Sequence, residues 1–531
     1  MDLTAKIIKI VDFMGSTIFG TFHIRAKMFI YYSIAVLLVY MIIKRKFYLS
    51  KIKSIPCKKS LPLFGHTLIL LAGPKSIGNL VKTFQQECKR ICTVWFGPVP
   101  CIVVYNAEDM QTILRNSKEI PKGQSYNFLR PWLGESILIS DGQKFRQNKK
   151  ILVQTFHKTN LLDFLPIFND NADNLIQNFA KHVGKGEFAT DLYLATGAMF
   201  NLLGTTLGVH RDILTEEEAF NYSLSVEKMG EFVFTRNIKF WLRPDIFFYF
   251  SNLKKKQDDH LNILNNLTER VILSKKKEFD ERKSSSITEF DENKKVLFLE
   301  NFFSATKLNG EPFTLKEIKD EVMTMMFAGQ DTTTVTLGFV LSLLGIHQDV
   351  QVSMHFIELL FNNKVYKELE EILGYSDRDI NYEDTQKMVY LEQVIKETWR
   401  LYPPINSIMR VPIKDINLGQ YVFPKGTTLL CSIFLLHRNE EYYHDSHRFN
   451  PERFNSDNDK NRPPYSFLPF SEGVRKCIGS KYAMLVVKVF LAKILSQYRV
   501  ICNQKQRDFK LSLQLTVRRK EGFLISLEPR K

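Results

Sequence analysis

Charged and uncharged positions are distributed unevenly along this chain. Met28 to Ile43 is sixteen residues without a charge, closed by Lys44-Arg45-Lys46. At ~1.5 Å per residue that run spans roughly 24 Å, short for a ~30 Å hydrocarbon core yet sufficient where Lys27 and Lys44 snorkel in a thin bilayer. It reads as an uncleaved signal anchor, since no small-residue cleavage site follows it. Lys6, Lys9, Arg25 and Lys27 precede it, and the heavier group Lys44, Arg45, Lys46, Lys51, Lys53, Lys58 and Lys59 follows it. That asymmetry predicts that the body of the protein faces the cytosol. The earlier stretch Ile7 to Phe22 is apolar but carries Lys9 and Asp12, which suits an interfacial segment or an addition to the anchor. Pro56, Pro62 and Gly65 then interrupt any helix and predict a stiff connector.

Further on, Ile91 to Phe96 and Cys101 to Tyr105 are β-rich runs separated by Gly97-Pro98-Val99-Pro100, the pattern of a hairpin. From Asn106 onward the apolar positions recur at helical spacing, so the chain reads as mainly α with a minor β part, an α+β fold. Thr314-Leu315-Lys316-Glu317 has capping-box spacing, and the helix behind it is predicted to run to about Ile346. Residues 276 to 295, with a lysine run at one end and Ser284-Ser285-Ser286 inside, read as a surface loop. Val352 to Asn363 reads as an insertion, because Gln351 would otherwise lead directly into Lys364-Val365-Tyr366-Lys367-Glu368.

Composition changes this picture only slightly. With 531 residues and 44% hydrophobic content, the chain can bury a large core. Its seven cysteines, at positions 57, 88, 92, 101, 431, 477 and 502, form no C-x-x-C pair and leave one over, which argues against a disulfide framework. The net charge of +16 is spread along the chain with no aromatic-interleaved patch, so a membrane surface and an acidic protein partner explain it better than nucleic acid.

The candidate chemistry is concentrated in Phe470-Ser471-Glu472-Gly473-Val474-Arg475-Lys476-Cys477-Ile478-Gly479. A lone intracellular cysteine is most often a small core residue. Here the sulfur lies in a glycine-bearing loop with Arg475 and Lys476 beside it, an arrangement that suits a thiolate holding a metal cofactor. A second feature lies inside the long helix, where Ala328-Gly329-Gln330-Asp331-Thr332-Thr333 places poor helix formers in mid-course, the glycine costing about 1 kcal/mol. Such a penalty points to a local opening, or to threonines bonded back to their own helix carbonyls. Glu397 and Arg400 stand three apart on one helical face, ordinarily a solvated pair worth a few tenths of a kcal/mol.

Taken together, Phe-x-x-Gly-x-Arg-x-Cys-x-Gly, Ala328 to Thr333, Glu397-Thr398-Trp399-Arg400 and Phe449-Asn450-Pro451-Glu452-Arg453-Phe454 resemble the cytochrome P-450 superfamily, microsomal type, from about Ile91 to Leu527. Tyr126 to Gly134 and Thr155-Phe156-His157 look most like the clan of fatty-acid ω-hydroxylases and its insect relatives. The resemblance implies one large folded unit: residues 1–27 as a luminal or interfacial segment, 28–43 as the anchor, 44–66 as linker and 67–531 as a haem-thiolate catalytic domain. By the same likeness Cys477 is the axial ligand of a haem b iron, and Arg410, Arg475, Lys149, Phe145 and Phe470 contact the haem. Lys149 and Phe145 stand where the family carries arginine and tryptophan, and lysine loses the fork of donors. Thr332 would hold a water beside the oxygen site, Asp331 would help relay protons, and Glu397, Arg400 and Arg453 would form a buried charge cluster. Ala328 occupies the position where some relatives carry a glutamate that esterifies the haem, so the cofactor is expected to be non-covalent.

The implied reaction inserts one atom of O2 into a lipophilic substrate at the endoplasmic reticulum membrane. No nucleotide-binding fingerprint is present, so electrons are expected from an NADPH-dependent flavoprotein reductase, with a cytochrome b-type donor as a further source. The cations Arg146, Lys149, Lys150, Arg475, Lys476 and Lys481 are the expected docking face. Trp132, Val322 to Met326, Ile405 to Ile408 and Gln514 to Thr516 are expected to line the pocket. A haem-thiolate isomerase or dehydratase, or a haem protein that sequesters lipophilic ligands, are the alternatives.

Overall fold

The computed structural model describes residues 28–530, apart from 30, 34, 37, 53–54, 57–59, 62, 73–82, 84–85, 89, 117–119, 285–296, 348–360 and 375. Residues 1–27, including the stretch 7–22, and most of the 352–363 insertion lie outside the described residues; Phe361 opens the helix Phe361–Leu373.

Helices dominate, with small sheets at the margins. The hairpin strands are β1 (Ile91–Phe96) and β2 (Val99–Val104), antiparallel, with Phe96 facing Val99. The turn is therefore two residues, Gly97-Pro98, shorter than the predicted four. Gly97 has φ +61, and a Cβ there would lie 2.4 Å from the Phe240 ring, so only glycine satisfies both the turn and the contact. Next come α1 (Gly142–Thr155), α2 (Leu165–Ala180), α3 (Asp191–Leu202), α4 (Glu216–Ile238) and α5 (Asn252–Ser284). The remaining main elements are α6 (Leu315–Ile346), α7 (Val389–Leu401), β3 (Ser407–Arg410), β4 (Thr428–Ser432), α8 (Ser480–Gln497), β5 (Tyr498–Ile501), β6 (Leu511–Leu513), β7 (Val517–Arg519) and β8 (Leu524–Pro529). One sheet has the order β1-β2-β4-β3, β2 and β4 running parallel, and β6 pairs with β7 as a hairpin.

The centre of the molecule is α6. Thr314 caps it as the spacing predicts: its Oγ1 accepts from Glu317 N at 3.2 Å while Thr314 N donates to Glu317 Oε2 at 2.9 Å. Between Val322 and Gly345 nearly every side chain is buried, the mark of a helix enclosed on all faces. Gly329 does not mark an opening. The helix is continuous through 328–333, and a Cβ at Gly329 would stand 2.6 Å from Leu202 Cδ2, so the residue lets α3 pack close.

One further expectation is corrected. Residues 276–284 are not loop but the last turns of α5, where the charge run falls at helical spacing and pairs Lys276 with Asp280 and Lys277 with Glu281. Among the described residues no helix is long and apolar enough to cross a membrane. The described residues of 28–51 are helical; Met28, Phe29, Tyr31, Tyr32, Val39 and Ile43 are exposed, and docking begins near Arg45 and Tyr48, both of which touch the Trp95 ring.

Candidate active site

The loop before α8 is closed by its own backbone. Cys477 N donates to Phe470 O at 3.0 Å, and Phe470 packs edge-on against Trp399 of α7, ring centroids 4.9 Å apart. Trp399 Nε1 in turn donates to Thr336 Oγ1 of α6 at 3.0 Å, so the loop, α7 and α6 are fixed to one another by a single indole. Gly473, at φ +79, brings its Cα side against Leu114, whose carbonyl oxygen would lie 2.5 Å from any Cβ. Gly479 has φ −90 and no atom within 4 Å of such a Cβ, so neither turn nor contact requires it. Cys477 is an exposed residue, yet the protein atoms crowded around its thiol desolvate it in part and raise its pKa, with a backbone bond from Gly479 as the opposing influence.

The cations do not do what the sequence suggests. Arg475 turns away from the sulfur: it donates to Ser140 O at 2.7 Å and Ile137 O at 3.2 Å, pairs with Asp141 and covers the Phe145 ring at 3.4 Å. Lys476 pairs with Glu472 at 2.5 Å. Neither is paired with the sulfur, so a metal bound there would itself supply the charge that compensates a Cys477 thiolate. Lys149 donates to Val474 O at 2.5 Å, which fixes the loop, and Phe145 is buried beneath Arg475. Burial and Arg475 both lower the Lys149 pKa.

Arg410 lies at the end of β3, 4% exposed, and its backbone bridges to Lys122. Lys122 was not expected at the site. Its ammonium donates to Leu138 O, and desolvation together with Arg475 and Arg410 holds its pKa well below the usual lysine value. Three cations thus converge with Asp141 as the one carboxylate recorded among them, an arrangement suited to an incoming dianion. The haem implied by the resemblance, with two propionates and one thiolate-seeking iron, fits this donor set. Replacing Lys122 by methionine is expected to weaken haem retention about tenfold while stabilising the haem-free chain by about 1 kcal/mol, because a charge repelled in one state is matched in the other. Haem transfer to apomyoglobin and urea unfolding of the apoprotein measure the two signs separately.

On α6, Ala328 is exposed and Gly329 and Thr332 are half-buried in a helix otherwise closed on every side. Thr332 Oγ1 donates to Ala328 O at 2.7 Å, the back-bonded reading of the threonine run. Asp331 faces elsewhere: Thr516 Oγ1 donates to its Oδ2 at 2.8 Å and Arg518 pairs with its Oδ1. The run Val322 to Met326 does not line one pocket, since successive residues turn by about 100°. Met323 and Met326 instead receive bonds from Thr268 and Tyr222 in the core. Trp132 does reach α6, its ring tilted against that of Phe327 with centroids 4.6 Å apart.

Behind the loop, Glu397 and Arg400 are 0% exposed, not solvated. Arg400 donates to both Glu397 oxygens at 2.7 and 2.8 Å and to the carbonyls of His437, Ser446 and Arg448. Arg453 Nε stands 3.5 Å from Glu397 Oε1. His437, which sequence reasoning missed, joins this cluster to the cysteine loop: Leu468 N donates to its Nε2 at 2.8 Å, leaving Nδ1 to donate toward Trp399 O at 3.3 Å. Burial pushes its pKa down to about 3. Below the ordinary value of about 6.5 the unfolded chain binds a proton that the folded one refuses, so stability falls by about 1.4 kcal/mol per pH unit from this group as pH drops from about 6.5 towards 3. Urea unfolding between pH 7 and 4.5 is expected to show that slope and His437→Gln to lose one proton of it.

Comparison with known proteins agrees with this geometry. A family profile described as Cytochrome P450 matches residues 55–527. Cytochrome P450 4V2 of Homo sapiens is 34% identical, covering 89% of each chain. Cytochrome P450 4g15 of Drosophila melanogaster is 32% identical over 90% of this chain and 92% of its own. Cytochrome P450 4c21 of Blattella germanica is 32% identical, covering 87% and 91%. Two of the three are insect proteins, as the Tyr126 to Gly134 and Thr155 to His157 segments imply. Among solved structures, retinoic acid bound cyanobacterial CYP120A1 superposes with TM-score 0.71 at 23% identity, covering 90% of this chain and 99% of that one, which shows the shared fold. With residues 55–527 matched by one profile and relatives above 30% identity covered along most of their length, the chain belongs to the cytochrome P450 family of monooxygenases, enzymes of a cysteine-ligated haem b.

Proposed function

We propose that this enzyme inserts one atom of O2 into a lipophilic substrate at a membrane surface, using electrons from NADPH delivered by a separate flavoprotein reductase. The observation that carries the reading is that Ala328, Thr332 and the Cys477 thiol are open positions on elements that Trp399 ties together, in a molecule whose centre is otherwise closed. Bound haem supplies the activation of dioxygen, its iron held by the Cys477 sulfur. Arg410, Arg475 and Lys122 would receive its propionates. The Thr332 hydroxyl donates its hydrogen bond to Ala328 O, so its oxygen is left as an acceptor that can orient a water. Trp132 and Phe327 form an apolar wall that excludes other water from the substrate.

Membrane association is supported by where apolar side chains are exposed. Trp241, Ile246, Phe247, Tyr249 and Phe250 are 40–79% exposed. Phe240 at their base packs on Phe64, beside the exposed Leu61 and Leu68. Together with the exposed Met28, Phe29, Tyr31, Tyr32, Val39 and Ile43 they leave many large apolar side chains at the surface, the chemistry a membrane interface accepts. An endoplasmic reticulum location with a single-pass anchor over 28–43 and a cytosolic catalytic domain is the arrangement we adopt. For the reductase, Arg146, Lys150, Lys476 and Lys481 are exposed, whereas Arg475 and Lys149 are engaged within the site.

Reconstitution with an NADPH-dependent flavoprotein reductase in lipid vesicles, screened with fatty acids, hydrocarbons and hormones, tests the proposal. Substrate-dependent NADPH consumption matched by oxygenated product is expected. Conversion without NADPH would place the protein among the isomerases and dehydratases, and tight binding without consumption would make it a carrier.

A further inference from the structure

Glu321 is enclosed by the protein, 1% exposed on α6, and only half of its carboxyl group is satisfied. Its Oε1 accepts from Ile137 N at 2.8 Å and from Asn148 Nδ2 of α1 at 2.6 Å. Its Oε2 is buried with no hydrogen-bond partner, and so is Oδ1 of the same Asn148, 3% exposed. An ionised carboxylate cannot remedy this, because both orphans are acceptors. A proton on Oε2 would: the acid then donates to Asn148 Oδ1 while Asn148 Nδ2 donates back to Oε1, the two-bond ring that a carboxylic acid forms with a primary amide. Burial favours the same form, raising the Glu321 pKa to about 7, with the Ile137 and Asn148 bonds opposing. The charges that act on it are Asp320, its neighbour on α6, and Lys144 of α1, of opposite sign.

The pair stands at the root of the cation cluster. Glu135, Ser136 and Ile137 are all fastened to α6: Glu135 N donates to Asp320 Oδ2 at 2.9 Å, Thr324 Oγ1 to Ser136 Oγ at 2.6 Å, and Ile137 N to Glu321. The carbonyls of the same segment receive the cations, Ile137 O and Ser140 O from Arg475 and Leu138 O from Lys122. Ile137 therefore holds Glu321 with its N–H and Arg475 with its C=O. Asn148, the other partner, precedes Lys149, which fixes Val474 O of the cysteine loop. One carboxyl group thus ties α6 to both supports of the cation cluster.

We infer that Glu321 is a positioning residue for the cofactor: protonated and paired with Asn148, it holds residues 135–140 and α1 so that Arg475 and Lys122 meet the haem propionates. This rests on the reading above, in which those cations receive the propionates. Ionisation leaves a buried charge that has lost the bond its proton made, so the arrangement loosens. The holding contribution is present below about pH 7 and is lost as pH rises through that value.

The test is haem transfer from the full-length holoenzyme in vesicles to apomyoglobin, followed by absorption between about pH 6 and about pH 8.5, with no turnover required. Wild type is expected to lose haem about tenfold faster at the upper end. Glu321→Gln, whose amide supplies an N–H where the acid supplies its O–H, should lose it slowly throughout, and Asn148→Leu quickly throughout. Two flanking changes read the same proton from outside the pair: Lys144→Gln should move the midpoint up and Asp320→Asn should move it down, each by about half a pH unit. Asp320→Asn should also leave the slope in place, which separates it from the titration of Asp320 itself, raised by burial to about 6. Lys122 and Lys149, whose pKa values are depressed, would give a slope that survives in Glu321→Gln. Such a surviving slope, a flat wild-type profile, or a Glu321→Gln protein that fails to retain haem at pH 6 would each overturn the inference. Lys122→Met that transfers haem no faster than wild type at pH 6 would overturn the propionate reading and the inference with it, whereas a Lys122 effect beside a flat wild-type profile overturns the inference alone. Should Asn148→Leu fail to fold, the glutamine contrast and the two midpoint shifts decide it.

Discussion

Replacing Cys477 by alanine is expected to abolish the red-shifted absorption of the reduced, carbon monoxide-bound protein and all product formation, while leaving the haem-free chain folded. The two halves of this expectation have different causes. The sulfur makes few contacts in the chain alone, where it is exposed, so its removal should cost the apoprotein less than about 1 kcal/mol. The loop is held instead by the Cys477 N to Phe470 O bond, by Phe470 on Trp399 and by Lys149 on Val474 O, none of which uses the sulfur. The cofactor, by contrast, would lose the sulfur proposed to hold it, and the two cations nearest in sequence are engaged elsewhere: Arg475 is on Ser140 O and Ile137 O, and Lys476 is on Glu472. Apoprotein melting, carbon monoxide difference spectra and turnover of the same preparation measure the three quantities. Retention of the band in the alanine variant would remove the thiolate from the mechanism.

Arg400→Lys is expected to be nearly as damaging as Arg400→Ala, with a loss of about 3–5 kcal/mol in stability and no haem incorporation. A guanidinium has five N–H donors, and here each finds an acceptor: two on Glu397, three on the carbonyls of His437, Ser446 and Arg448. An ammonium has three and cannot match the fork, so lysine leaves buried acceptors unmet. Glu397→Gln should cost a similar amount, because it leaves Arg400 without a counter-charge at 0% exposure. The double variant Glu397→Gln/Arg400→Met should lose less than the sum of the two single changes, since the unpaired charge is then gone. Urea unfolding of the four proteins checks this, and additive losses would show that the pair is not acting as a unit.

These outcomes also measure how much of the site could be read from local sequence. The cap at Thr314, the end of α6 at Ile346, strand β1 and the closed geometry around Cys477 all depend on residues a few positions apart, whose preferences act in any context. The loop assigned to 276–295 failed over 276–284 for a related reason: lysines and carboxylates four apart favour helix as much as solvent, and composition alone hides the spacing. The glycine of Ala328-Gly329-Gln330 was misread because its cause, Leu202, lies 127 positions earlier.

What the sequence by itself determined is the cysteine loop proposed to hold the iron, the mainly helical fold and the spacing that brings Glu397 and Arg400 to one face, because these follow from neighbours along the chain. The tertiary structure alone decided where the cations go. Arg475 serves the Ile137 and Ser140 carbonyls ahead of α1, Lys122 stands with Arg475 and Arg410, and Arg518 holds Asp331 across 187 residues. A charge buried away from water must find its partner wherever packing brings one close, and packing is a property of the whole chain.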